Sequence, residues 1–214
     1  MAGKIITIAQ QKGGSGKTTL AAHLAVAWAQ QRGTRVALLD IDPQGSLGEW
    51  FEAREEWLGE EANTISFRTA SSWGSRREAR SLARDHDYVV IDTPPKSDRE
   101  GRPAMEAADL VAIPVQPSPI DLWATEPTIE MATAEGTPAI LVLNRVPPRA
   151  LLTEEMTNAM RTFDAKSARS RLGNRVAFAA SMGHGGTVIE TRHSQKAADE
   201  IDALAKELRR MMTR

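Results

Sequence analysis

The chain has no cysteine. That excludes disulfides, a thiol nucleophile and a cysteine-ligated iron–sulfur cluster, and it suits a reducing compartment. Aromatic residues make up only 5%, so the core has to be built from Ala, Val, Leu and Ile. Neither sign of charge is in excess: 27 basic residues stand against 28 acidic ones, a net charge of −1. No global attraction to nucleic acid or membrane follows, and any such binding needs a local basic patch. No apolar run approaches the ~20 residues of a spanning helix. Met1-Ala2-Gly3-Lys4 enters a β-like run at once, which leaves no room for a signal peptide. A cytoplasmic protein is expected. The histidines His23, His86, His184 and His193 show no metal-ligand spacing and read as surface or packing residues.

What is present is ordinary for a globular protein: 214 residues, 41% hydrophobic and 26% charged. That length suits one well-buried domain, residues 1–214. Short apolar runs recur at Ile5–Ala9, Val36–Leu39, Ile65–Phe67, Tyr88–Ile91, Leu110–Val115, Ala139–Leu143 and Val176–Ala179. Several lack alternation, as strands covered on both faces do. Between them lie helical spacings at Thr18–Gln31, Ser46–Trp57, Arg76–Asp85, Leu122–Ala134, Thr153–Ala165 and Ser194–Met212. The alternation predicts an α/β fold with a mostly parallel sheet of about seven strands and helices on both faces. Pro94-Pro95, Pro114–Pro119 and Pro147-Pro148 follow strands, so they read as loops at the carboxyl edge, where open α/β sheets bind ligands.

Lys12-Gly13-Gly14-Ser15-Gly16-Lys17-Thr18-Thr19 sits directly after the first strand and opens a helix. Strand, glycine-rich loop and helix in that order form a phosphate-binding loop. Glycines let backbone N–H groups crowd around phosphate oxygens, and the helix N-terminus adds partial positive charge. Lys17 is placed to reach the β/γ oxygens and Thr18 to ligate Mg²⁺, so ATP and Mg²⁺ are the expected cofactors. The usual pattern has glycine where this chain has Gln11.

With its extra lysine the string resembles the deviant Walker A motif of the ParA/MinD superfamily, the P-loop ATPases in which the Gln11 position commonly lacks glycine. Asp40-Ile41-Asp42-Pro43-Gln44-Gly45 is similar to the family's DxDPQG segment, and Tyr88–Pro95 to its Walker B strand with an Asp-Thr-Pro-Pro continuation. The resemblance implies that Lys12 reaches a partner subunit's phosphates across a nucleotide-sandwich homodimer while Lys17 serves its own. It implies that Asp42 positions the lytic water, that Asp40 and Asp92 join Thr18 around Mg²⁺, and that Thr93–Lys96 switches on the γ-phosphate. Gly13–Thr19 would cradle the phosphates, and Asn144-Arg145 would meet the adenine. A solvated loop charge at Lys12 and a polar turn cap at Asn144 stay open as plainer readings.

The resemblance runs from Ile5 to the last helix and is greatest to short ParA-type proteins without a helix-turn-helix extension. It implies a slow, partner-stimulated ATP hydrolase that binds nucleoid DNA non-specifically in its ATP state. Such an enzyme positions a plasmid, chromosome or protein cluster through a ParB-like or cargo-adaptor partner. Candidate DNA contacts are Arg76, Arg77, Arg80 and Arg84, and Arg192 with Arg209, Arg210 and Arg214; each run also reads as a solvated face. The alternative is a MinD-like membrane switch, which needs the stripe Ile201, Leu204, Leu208 and Met211 free to meet lipid. A core-facing helix is the expectation there, so no membrane partner is expected. A metallocluster carrier lacks its thiolates, and a ligase lacks a substrate-specific insertion. Trp50 and Trp57, seven apart, are expected to pack on the sheet; Trp73 and Trp123 complete an unusual set in an aromatic-poor chain.

Overall fold

The structure, a computed structural model, describes residues 2–95, 100–148, 151–191 and 194–213, with the backbone alone at 63 and 151–153. The elements run β1 (Lys4–Ile8), α1 (Lys17–Ala29), β2 (Val36–Asp40), α2 (Ser46–Leu58), β3 (Ile65–Thr69), α3 (Ser75–Asp85), β4 (Tyr88–Asp92), α4 (Arg102–Ala107) and β5 (Leu110–Val115). They continue with α5 (Pro119–Trp123), α6 (Glu126–Ala134), β6 (Ala139–Leu143), α7 (Leu151–Ala159), β7 (Lys166–Ser167), α8 (Val176–Met182), α9 (Val188–Thr191) and α10 (Gln195–Met212). Among the described residues the seven strands form one sheet, ordered β3-β2-β4-β1-β5-β6-β7, with every pairing parallel.

Unbroken apolar strands follow from cover on both faces. Ile6, Ile8, Leu38, Val90 and Ala112 point into one core with α1, α2, α9 and α10. Their neighbours Ile5, Leu39, Val89 and Ile91 point into another with α3 and α4. Val111, Ile113 and Leu141 meet α5, α6 and α7. The two-residue period of a strand divides one run between two cores.

α1 is apolar nearly all round, with Leu20 through Trp28 buried, because α10 covers the side turned away from the sheet. Trp28 Nε1 donates to Ala205 O at 3.1 Å and its ring lies 4.8 Å from Tyr88. In α10, Ala197, Ile201, Leu204, Leu208 and Met212 form the buried stripe, so Ile201, Leu204 and Leu208 of the face that a membrane switch would need are packed inside the molecule, and Met211 is partly buried.

Three element assignments change. Val176–Ala179 is the start of α8, not a strand; Val176 is 84% exposed, which no interior strand residue is, and the alanines that follow favour helix. The seventh strand is the polar pair Lys166–Ser167, with Ala168 N donating to Leu141 O. The stretch Leu122–Ala134 is two helices, α5 and α6, because Pro127 cannot donate into the previous turn. Of the tryptophans, Trp50 is buried but Trp57 is half exposed, and Trp73 and Trp123 face outward.

All strands being parallel, the loops after β1, β2, β4, β5 and β6 meet at one edge. β1 lies between β4 and β5, where the winding of the sheet reverses. That crevice is where α/β sheets take ligands.

Candidate functional site

The loop from Ala9 to Gly16 leaves β1 and turns into α1. Gly14 (φ 73°) and Gly16 (φ 95°) are left-handed, a backbone that side chains resist. A Cβ on Gly16 would also lie 2.4 Å from Asn144 Nδ2. The loop carbonyls are tied outward: Asn144 Nδ2 donates to Ser15 O at 2.8 Å, and Gln116 Nε2 donates to Gly14 O at 2.9 Å. Gly13-Gly14 form a hydrogen-bonded turn, and among the described residues the backbone N–H groups of Gly13, Gly14, Gly16, Lys17 and Thr18 have no protein acceptor. A row of free donors at a helix N-terminus is an anion cradle.

Lys17 is buried beside it, and burial pulls its ammonium below the usual lysine range against the raising pull of Asp92 and Asp42. Thr18 Oγ1 donates to Asp92 Oδ2 at 2.6 Å. Asp92, fully buried, is pushed up to about 7, first by burial and then by Asp40 and Asp42, while Thr18 and Lys17 pull it down. Its other oxygen, Oδ1, is buried without a partner. A divalent cation fits this orphaned carboxylate oxygen beside a hydroxyl. Among the described residues no three His, Asp or Glu side chains gather as a metal cage. Mg²⁺ would therefore sit on Thr18 and Asp92 and complete its shell from phosphate and water.

Asp40 faces Asp92 across the β2–β4 register. Its carboxylate accepts from Asp42 N at 2.9 Å and Gly48 N at 3.3 Å, and burial raises its pKa. It thereby pins the loop that presents Asp42, whose own Oδ1 accepts from Gln44 N. Asp42 is half exposed and lines a cleft of about 630 Å³ with Lys17, Thr18, Pro95, Arg145 and Met182. A second cleft of about 460 Å³ shares Gly16, Thr19 and Arg145, and continues past Asn144 to Arg175 and Phe178. Together they fit a phosphate tail and a base.

Asn144 is engaged at both ends, since Arg145 N donates to its Oδ1 at 2.9 Å. Its clear task is to brace the phosphate loop. Arg145 is the one non-glycine residue with positive φ (52°) among those described, a conformation that clusters at functional sites. Arg175 and Phe178 were not foreseen, because their segment reads as a strand. Thr93 Oγ1 donates to Ile8 O, and Pro95 borders the cleft. Lys96 lies outside the described residues.

Lys12 turns away from its own cradle. Its ammonium lies 2.7 Å from Asp121 on α5, a buried carboxylate that also accepts from Ser118 Oγ. Asp121 was not foreseen, although Ser118-Pro119-Ile120-Asp121 carries a cap-and-first-turn pattern. Ile120 and Trp123 flank it and are 64% and 73% exposed.

The chain's residues 6–188 match the profile of the CobQ/CobB/MinD/ParA nucleotide binding domain. The chain belongs to that family. Over 211 residues it is 34% identical to the maintenance of carboxysome distribution protein A of Halothiobacillus neapolitanus, covering 95% of each chain. In fold it is similar to a Cyanothece McdA–ATP complex, with TM-score 0.79, 16% identity and 97% of each chain covered. It is also similar to the Pyrococcus furiosus cell division ATPase MinD, with TM-score 0.78, 21% identity, and 98% and 99% covered.

The basic runs are less free than their sequence suggests. Arg76 pairs with Glu106, Arg84 donates to Ser81 Oγ, and Arg209 donates to Gln31. Arg192 and Arg214 lie outside the described residues. No helix among the described residues is long and apolar enough to cross a membrane.

Proposed function

We propose that the chain, as one domain, is a ParA-type ATPase. It binds MgATP in the glycine cradle, pairs with a second copy through the bound nucleotide, and hydrolyses it slowly until a partner stimulates it. The observation that carries this reading is the glycine loop whose N–H groups at Gly13, Gly14, Gly16, Lys17 and Thr18 have no protein acceptor among the described residues, with Lys17 buried at its end and Asp42 lining the same cleft.

Lys17 neutralises charge on the β/γ oxygens, and Asp42 accepts a hydrogen bond from the attacking water and aims it in line. Asp40, expected in the Mg²⁺ shell, has both carboxylate oxygens engaged by Asp42 N and Gly48 N and acts instead through Asp42, by fixing its loop. Mg²⁺ on Thr18 and Asp92 would supply charge neutralisation for the leaving diphosphate. Lys12, directed at Asp121 in the single chain, transfers to the partner subunit's phosphates when two copies meet. In the ATP state the dimer rests on nucleoid DNA through exposed cations, a contact that weakens with salt. The likeness to a carboxysome distribution protein favours a protein assembly as cargo, reached through an adaptor protein in the cytoplasm. The membrane alternative has no such support, because Ile201, Leu204 and Leu208 of the stripe it requires are buried and Met211 is partly buried.

Two variants test the reading together. Lys17→Ala abolishes ATP binding in a fluorescent-nucleotide titration. Asp42→Ala binds ATP but accumulates as a dimer, read by light scattering after size exclusion. Normal affinity in the first, or a monomer with ATP in the second, rejects it.

A further inference from the structure

β3 ends the sheet, and its outer side has no strand beside it among the described residues. Ala70 N donates to Asp40 O at 3.0 Å, so Ser66, Arg68 and Ala70 turn their backbone groups toward β2. By the two-residue alternation of a parallel pair, Phe67 and Thr69 turn theirs outward. Phe67 O is met only by the exposed guanidinium of Arg68, at 3.1 Å. The opposite edge, β7, is two residues long, too short to template anything. Among the described residues β3 is the long open edge of the sheet, and open edges pair with other chains unless guarded.

Beside that edge runs a groove of about 640 Å³ between β3 and α2. Its floor is aromatic, with Phe51 stacked on Phe67 at 4.8 Å between centroids. Its wall is acidic. Glu49, Glu52 and Glu55 recur at every third position, share one side of α2, and are exposed. None of the three forms an ion pair within the described residues. The cation of α2, Arg54, is turned inward and held by Glu190.

We propose that this groove takes an extended, lysine- or arginine-rich segment of a partner protein, added to the sheet as a strand beside β3. Main-chain hydrogen bonds at Phe67 and Thr69 supply the docking, apolar side chains meet the aromatic floor, and alternate cations meet the glutamates. A second copy of this chain does not fit, because it would bring its own glutamate row against this one. The inference concerns a surface that shares Glu49 with the nucleotide cleft but is centred on β3, and it stands whether or not the ATPase reading does.

The test uses the full chain without nucleotide and a labelled peptide of alternating Lys and Val. Binding is saturable and slows amide exchange at Phe67 and Thr69. The same peptide N-methylated at alternate residues, or with Glu in place of Lys, does not bind. The double variant Glu52→Lys/Glu55→Lys weakens binding about tenfold or more while ATP affinity stays unchanged. Absence of binding, indifference to N-methylation or charge inversion, or protection at other amides overturns the proposal. So does protection of Phe67 and Thr69 without peptide, since that means a second copy covers the edge.

Discussion

His23 shows how far one residue can be from its solution chemistry. Its Nδ1–H donates to Thr19 O at 2.7 Å and its Nε2 accepts from Val188 N at 3.2 Å, so both nitrogens are satisfied only in the neutral ring. Burial lowers its pKa from 6.5 to about 4. In the unfolded chain it protonates below pH 6.5, and in the folded chain it does not until about pH 4. Stability is therefore lost as pH falls through that window, by about 3 kcal/mol at about 1.4 kcal/mol per unit. Urea unfolding between pH 7.5 and 4 should show this loss in the native chain and not in His23→Gln; equal slopes would rule it out. Gly16 makes the second residue-scale case. Gly16→Ala needs positive φ at a side-chain-bearing residue and drives a Cβ into Asn144. Its expected effect is about 1–3 kcal/mol of lost stability, together with loss of nucleotide binding measured by calorimetry. The glycine's necessity could be read from the sequence, and so could Lys17, Thr18 and Asp92. Asn144's bracing of Ser15 could not, because that contact joins residues 129 positions apart.

At the scale of elements, α2 and the loop before α9 form one clamp. Arg54 gives its guanidinium to Glu190 at 2.6 and 3.0 Å and to Gly185 O at 3.2 Å. Trp50 Nε1 donates to Gly186 O, and Gly185 packs so close that a Cβ would lie 2.2 Å from Arg54 N. Thr187 donates to the same Glu190 through N and Oγ1. Breaking a buried pair strands its survivor, so Arg54→Met should destabilise the fold by about 3 kcal/mol. Met182 and Gly183 of this region line the phosphate-side cleft, so nucleotide release should quicken in the same variant, seen by stopped-flow. A stability change with an unaltered release rate would separate the clamp from the site. The strands were legible because two cores make them apolar throughout; α8 was misread because Val176 and Phe178 imitate that pattern over four residues. β7 carries no apolar signal at all, being two polar residues held only by β6. The break between α5 and α6 was written in Pro127, but helical spacing across it is continuous enough to hide it.

At the scale of the whole molecule, the question is what the lone chain must give up in order to pair. Lys12 is one-third exposed, while the carboxylate it holds, Asp121, is 5% exposed. Asp121 is itself anchored, accepting from Ser118 through its carboxylate and donating from its N, and Thr125 Oγ1 donates to its carbonyl. α5 is therefore the fixed post and Lys12 the movable part. The family resemblance offers Lys12 as the residue that would cross to a partner, but not Asp121 as the post that holds it, since the two are 109 positions apart. If the sandwich dimer forms as proposed, each copy has to break this pair before its ammonium reaches the other's phosphates. Asp121→Asn keeps the Ser118 hydrogen bond and removes the charge that retains Lys12. The pair is partly solvated, so the restraint is worth about 1 kcal/mol per copy. The two copies together gain about 2 kcal/mol, so the dimer of Asp121→Asn should form at about thirtyfold lower protein concentration with a non-hydrolysable ATP analogue, in sedimentation equilibrium. Lys12→Ala in the same background should remove that gain, because no ammonium remains to be released. A dimer constant unmoved by Asp121→Asn would mean that Lys12 leaves its post at no cost, and that α5 does not set the threshold for pairing.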